Sequence, residues 1–278
     1  MYLTEEQLLL YKNQGFFILP ECFPRGEIET MKAELSAISA EESPKRVLEK
    51  DGKTVRSLHG THKTNDVFNR LTRHPSILEP AMQIVGSQVY VYQFKINLKA
   101  PFSGDIWQWH QDYIYWRKED GLQRPQIVNA MFILEDMNEF NGPLFVIPGS
   151  HKEEMIDVAA HNSQKSGESP AWISSFTSNL KYSITQEVVT DLVSKYGIYS
   201  VKAVAGSVVF FNSNLVHASA NNISPFGRST AIITYNSVKN IPSPVAQPRP
   251  DFLVSQDYQP VLPLASEILS ELYSTKSI

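Results

Sequence analysis

The spacing of apolar residues along this chain changes once, near residue 86. Before that point it is helical. Thr4 followed by Gln7 makes a capping-box pattern, and Gly15 is a natural helix stop. Phe16–Leu19 reads as a short strand, and Ile28, Met31 and Leu35 mark the apolar stripe of a second helix over 24–40. Residues 42–56 are charged and carry Asp51-Gly52, so a surface loop or flap is expected there. A further helix over 75–85 ends at Gly86. From Val89 onward the period is two. The segment VYVYQFKINLK (89–99) alternates and is rich in β-branched and aromatic residues, as strands are. Shorter strands are predicted over 126–134, 144–147, 200–204, 207–212 and 230–236, with Asn141-Gly142-Pro143, Pro148-Gly149-Ser150 and Ala205-Gly206 as punctuation.

Many short strands after a helical start predict a mainly β protein with flanking helices. The expected core is a double-stranded β-helix, a jelly roll of the cupin-like kind. The expected organisation is one domain over 1–278: a mostly helical support (1–86), a jelly-roll core (87–250) and a C-terminal segment (251–278). The core is interrupted by an insert at 151–198 with a helix near its end, long enough to serve as a lid or binding loop.

Composition narrows the function. The chain has 278 residues, 42% of them hydrophobic, and a net charge of −4 with no long basic run. Nucleic acid and anionic membranes are therefore not expected partners. Cys22 is the only cysteine, which suits a reducing cytosol. No apolar stretch approaches the roughly 20 residues of a membrane span, so a cytoplasmic protein is expected.

The candidate chemistry is His110-Gln111-Asp112 with His217. If residues i and i+2 of a strand face one side, His110 and Asp112 can reach one metal ion, and a distal histidine completes two histidines and a carboxylate. That set leaves coordination positions open, as non-haem iron(II) oxygenases require. Arg228 lies at the start of the next predicted strand, and its planar fork suits an anionic cosubstrate. Trp107, Trp109, Tyr113, Tyr115 and Trp116 surround the motif, as substrate wall or as core.

At these residues the sequence resembles the phytanoyl-CoA dioxygenase family, and within it the ectoine hydroxylase-like subgroup. The resemblance spans nearly the whole chain, through GKTVRSLHGTHK, WHQDYIYWRKEDG, NGPLFVIPGSHK, FFNSNLVHAS and GRSTAIITYNSV. It implies iron(II) held by His110, Asp112 and His217, with 2-oxoglutarate and O2 as cosubstrates and Arg228 on the distal carboxylate. Gln93, Asn97 and Asn129 match positions beside the cosubstrate, and Trp116, Phe211 and Arg249 match positions that wall or bind substrate. Lys95 and Ile232 depart from the ectoine enzymes, which carry an arginine and an aromatic there, so the pocket is redrawn. Asp112 itself favours hydroxylation, because halogenating relatives lose this carboxylate. The implied reaction is C–H hydroxylation coupled to decarboxylation of 2-oxoglutarate to succinate and CO2. The implied substrate is a small polar ring, an ectoine-like amidine or a guanidine alkaloid such as a cylindrospermopsin precursor.

Two rivals use the same residues: a zinc-dependent hydrolase and a catalytically silent jelly-roll binding protein. No HExxH motif and no second carboxylate beside His110 support the first. His59 and His62 are expected in a solvated or supporting role, His74 and His161 at the surface, and His151 in ordering the turn at Pro148-Gly149-Ser150. The oligomeric state is left open.

Overall fold

The computed structural model describes residues 2–161 and 170–264. Its helices are α1 (Glu5–Gln14), α2 (Arg25–Ala40), α3 (Asp66–Leu71), α4 (Pro75–Val85), α5 (Tyr113–Glu119) and α6 (Gln186–Tyr196). The Thr4–Gln7 capping box forms as expected, and Gly15 ends α1 in the left-handed region at φ 80. A side chain there would also run into His151, 2.5 Å from the added carbon.

The strands are β1 (Phe16–Leu19), β2 (Arg46–Leu48), β3 (Val55–His59), β4 (Val89–Lys99), β5 (Trp107–His110), β6 (Ile127–Ile133), β7 (Leu144–Val146), β8 (Tyr199–Ser200), β9 (Val208–Asn212), β10 (His217–Ser219) and β11 (Arg228–Ser237). They form a seven-stranded sheet, β1-β9-β6-β11-β4-β3-β2, and a four-stranded sheet, β5-β10-β7-β8. Every strand pairing in both is antiparallel.

One face of the large sheet is covered by the N-terminal helices. Ile28 and Met31 of α2, Phe68 and Leu71 of α3 and Ile77 and Leu78 of α4 bury against Phe94 and Ile96 of β4, Phe132 of β6, Phe210 of β9 and Ile233 of β11. The other face looks toward the small sheet across a cavity. This mainly β, jelly-roll arrangement with flanking helices is the architecture expected from the change of period.

β4 is where the two faces are apportioned. A bulge opposite Thr234/Tyr235 pairs Thr234 with Gln93 but Tyr235 with Val91, leaving Tyr92 as the extra residue. Val89 and Val91 before it, and Phe94 and Ile96 after it, all pack on the helices. Gln93, Lys95 and Asn97 are thereby turned to the cavity.

Several expectations differ from the structure, and the strand expected over 200–204 is reduced to the two residues of β8. Residues 42–56 hold β2 and the turn leading into β3, an edge hairpin (46–59) in place of a loop, because Val47 finds buried cover. The aromatic run after His110 folds as α5, and α3 appears where no helix was expected. His74 is buried in place of exposed: its Nδ1 accepts from Ser76 N at 3.2 Å and caps α4, with Phe23 stacked 4.3 Å away.

Candidate active site

β5 ends at His110, β10 begins at His217, and the two are direct cross-strand partners with ring centroids 4.2 Å apart. Asp112 arrives by a different route from the expected strand alternation. The chain leaves β5 after His110, and Asp112 takes a helical conformation (φ −73, ψ −37) just ahead of α5. Gln111 fixes this turn: its Nε2 donates to the carbonyls of Glu154 and Asn214, and its Oε1 accepts from Ile156 N at 2.8 Å. The Nε2 atoms of His110 and His217 each lie 3.9 Å from an Asp112 oxygen. All three ligand atoms fall within 4.8 Å of one another.

The donor set fits iron(II) on its chemistry. His110 Nδ1 lies 2.6 Å from the Gln108 carbonyl and His217 Nδ1 2.9 Å from the Leu215 carbonyl. Carbonyls only accept, so each Nδ1 carries the proton and each Nε2 offers its lone pair to the shared point. Burial pushes the His110 imidazole down to about 3, with His217 adding to the effect, and burial lowers His217 as well. Burial alone would raise the Asp112 carboxyl; Lys95 first, then the two histidines and the Asn129 amide, hold it at about 2. Neutral imidazoles beside an ionised carboxylate are the protonation states a metal requires.

A cavity lies beside this triad. Gln93, Asn97 and Ser219 line it, and Gln93 Nε2, Asn97 Oδ1 and Ser219 Oγ are buried with no partner among the described residues. Such atoms are costly unless a ligand satisfies them. Arg228 enters from β11, wholly buried, with Nε and Nη2 donating to the Gly142 carbonyl at 3.2 and 2.7 Å. Gly142 must be glycine: its φ is +78 and a side chain would strike Lys99, 2.5 Å from the added carbon. Arg228 Nη1 has only a long contact, 3.4 Å, to Thr230 Oγ1. Burial, helped by Arg56, brings the Arg228 guanidinium down to about 10, still a cation at neutral pH.

The structure gathers most of the expected residues. Gln93, Lys95, Asn97, Trp116, Phe211, Arg228 and Ile232 all line the cavity with the triad. Asn129 stands behind it: its Nδ2 donates to Asp112 Oδ2 at 2.7 Å, and its Oδ1 accepts from Thr234 Oγ1 at 2.7 Å. Asn129 thus touches the metal ligand and not the lining. Arg249 is turned elsewhere too. Its Nε and Nη2 clasp both oxygens of Asp120 at 2.7 and 2.5 Å, and it does not line the cavity. Asp120 also accepts from Tyr92 Oη at 2.5 Å, so this carboxylate closes the C-terminal end of α5, the helix that carries Tyr115 and Trp116. Lys95 is a lining cation, with Nζ 3.6 Å from Asp112 Oδ1. His59 is buried among aromatic rings, 4.3 Å from Phe176. His62 is buried against Phe94, while His161 is exposed.

Ser219 and Thr230 were not singled out from the sequence. The signal was present, since each sits two residues beyond a candidate residue on the same strand, His217 and Arg228. Phe176 and Ser175 also line the cavity, and nothing local in the sequence of the insert marks them.

Residues 11–230 match the phytanoyl-CoA dioxygenase (PhyH) family. The chain belongs to that family. L-proline trans-4-hydroxylase from Streptomyces griseoviridis is 37% identical over 260 residues, covering 93% of this chain and 95% of the relative. Ectoine dioxygenase from Bordetella bronchiseptica is 33% identical over 281 residues, covering 97% and 88%. The crystal structure of EctD from S. alaskensis with 2-oxoglutarate and 5-hydroxyectoine superposes with a TM-score of 0.80 at 26% identity, covering 95% of this chain and 87% of that one. The similarity to ectoine dioxygenase and to EctD agrees with the resemblance to the ectoine hydroxylase-like subgroup. The higher identity to the proline enzyme adds a cyclic amino acid to the chemistry found among the relatives. Among the described residues, no helix of this PhyH-family chain is long and apolar enough to cross a membrane.

Proposed function

We propose that this PhyH-family enzyme is an iron(II)- and 2-oxoglutarate-dependent hydroxylase of a small ring carrying both a carboxylate and a cationic nitrogen. The observation that carries the reading is the buried triad with both Nδ1 atoms committed to carbonyls, beside a cavity holding Arg228 and three polar atoms without a partner among the described residues. His110, Asp112 and His217 would hold the metal, and Arg228 with Thr230 and Ser219 would receive the distal carboxylate of 2-oxoglutarate. When iron(II), 2-oxoglutarate and O2 are bound, decarboxylation of the cosubstrate to succinate and CO2 supplies the oxidant for C–H hydroxylation.

The protein's own part is binding, orientation and exclusion of water. Asn129 holds one Asp112 oxygen, so the carboxylate has a single seat. Gln93 and Asn97 offer an amide donor and an amide acceptor to the bound molecules, and Lys95 offers a cation. Trp107, Trp116, Tyr115 and Phe176 give flat apolar walls against which a ring can pack and a cationic nitrogen can rest. The carboxylate of the substrate is assigned to Lys95 in preference to Arg249, because the Arg249 fork is already filled by Asp120. Proline-like amino acids and ectoine-like amidines share this chemistry, and guanidine alkaloids such as a cylindrospermopsin precursor share its cationic nitrogen. Among the described residues, Asp112 is the only carboxylate lining the cavity, which disfavours a zinc hydrolase that needs a second acid or base.

The test is an anaerobic titration of metal-free protein with iron(II) and then 2-oxoglutarate, watching for the visible charge-transfer band of the chelate. Oxygen is then admitted with L-proline, ectoine or a guanidine alkaloid, and succinate and products heavier by one oxygen atom are measured. A band that depends on His110, followed by one hydroxylated ring, is the expected result. No band in the wild type overturns the reading.

A further inference from the structure

Arg56 does not line the cavity, yet it holds two pieces of the cavity wall. It is 1% exposed, and its partner Glu49 is nearly as deep. Nε donates to the Phe176 carbonyl at 2.8 Å, and Nη2 donates to the Ile106 carbonyl at 2.6 Å. Nη1 donates to Glu49 at 3.1 Å and has a longer contact to the Asp105 carbonyl. The face of the guanidinium stacks on the Trp107 indole, 4.0 Å from the ring centroid. Phe176 and Trp107 are lining residues, one from the insert and one from β5, and Arg56 grips the backbone of the first and the ring of the second.

This placement depends on a defect in the sheet. Val47 pairs with Ser57 but Leu48 pairs with Val55, so Arg56 is the extra residue of a bulge in β3. Strict alternation would send Arg56 to the side of Leu58, which is buried against the helices. The bulge re-aims it toward the cavity side. Glu49 then sets the fork: besides pairing with Nη1, its Oε1 accepts from Asp105 N at 3.1 Å, tying the approach to β5 to the same group. His59, on the same strand, packs its ring against Phe176 and Trp172, so the insert turn at Ala171–Ser175 and the following Phe176 are seated on β3 by these two side chains.

We infer that Arg56, seated by Glu49, is a positioning residue that holds Phe176 and Trp107 at a set separation and so determines which ring the cavity accepts. The kinetic half of this inference rests on the proposed hydroxylase activity; the structural half does not. Lysine at position 56 keeps the charge for Glu49 but cannot reach the Phe176 and Ile106 carbonyls with one fork. The double change Arg56→Gln with Glu49→Gln removes both charges together and leaves neither buried alone.

The experiment compares wild type, Arg56→Lys and the Arg56→Gln/Glu49→Gln double variant by amide hydrogen exchange and by titration with iron(II) and 2-oxoglutarate. Expected is roughly tenfold faster exchange over 172–182 in both variants, while β4, β6 and β11 stay within about twofold of the wild type. The charge-transfer band should be unchanged, and with L-proline as the probe substrate KM should rise roughly tenfold, by more than kcat falls. Unchanged exchange over 172–182, or equal loosening of β4, β6 and β11, overturns the positioning role. So does a fall in kcat at constant KM. A wild type without the band fails the hydroxylase reading instead, and the exchange comparison still decides the structural role of Arg56.

Discussion

At the metal end of the cavity, every functional side chain sits on a strand or within two residues of one. Most of the aromatic wall is different: although Trp107 lies on β5, Tyr115 and Trp116 come from α5 and Phe176 comes from the insert. The first group is located by ladders of backbone hydrogen bonds, which fix His110 opposite His217 and aim Gln93, Lys95 and Asn97 from one strand. The second is located by a few side chains gripping backbone carbonyls or a helix end, chiefly Arg56 on Phe176 and Arg249 on Asp120. Strand geometry is shared by all members of a fold, whereas a grip of one side chain can be changed alone. A family can therefore keep its metal chemistry and alter its substrate by editing the wall.

The sharpest way to break that contrast is to remove a strand-end ligand. His110→Ala should abolish turnover and the charge-transfer band while the protein stays folded, since only a neutral side chain is lost. A band of wild-type strength in that variant would remove the triad assignment. On the wall side, Arg249→Ala leaves Asp120 buried and unpaired and should cost about 3–5 kcal/mol of stability, read by urea denaturation. If substrate KM rose instead with stability intact, Arg249 would belong to the substrate after all.

Arg228→Ala removes a buried cation from a carboxylate site and should raise the apparent KM for 2-oxoglutarate roughly 30-fold or more. A rise confined to the ring substrate would exchange the roles of the two ends. Asn129→Ala should weaken iron affinity by about 10- to 100-fold, since the Asp112 oxygen loses its orienting donor; equilibrium competition with a chelator measures it.

The smallest effect concerns the helical support and is a dependence on pH. Burial pushes His74 down from 6.5 to about 4, and its Nδ1 must stay unprotonated to cap α4. Between pH 4 and 6.5 the unfolded chain binds the proton that the folded chain refuses. Stability is therefore full above 6.5 and is lost as the pH falls through that window. His74→Asn keeps a cap without the titration and should flatten the slope between pH 6.5 and 5 by at most about 1.4 kcal/mol per pH unit. An equal slope in both proteins would assign the acid sensitivity to His59 and His62, which burial also lowers, to about 3 and about 4.

Much of this was legible in the order of residues. The change of period near Gly86 marks where the long strands begin, because a helix and a half-buried strand repeat their apolar faces at different intervals, but β1, β2 and β3 of the large sheet lie before it. The glycine stops at 15, 86 and 197 and the capping box at Thr4 mark helix ends, because those signals are local. His110, Asp112, His217 and Arg228 could be put forward because a metal and a dicarboxylate demand particular side chains, and the motifs around these four resemble those of the family. What sequence could not supply is any feature set by contacts between distant segments. The bulges at Tyr92 and Arg56 invert the alternation on which face assignment depends, and both arise from pairing with other strands. Asp112 reaches the metal point through a turn held by Glu154 and Asn214. Arg249 is drawn to Asp120, 129 residues away along the chain. The chemistry was written in residue types; the aim of each side chain was decided only when the sheets paired and the buried charges found partners.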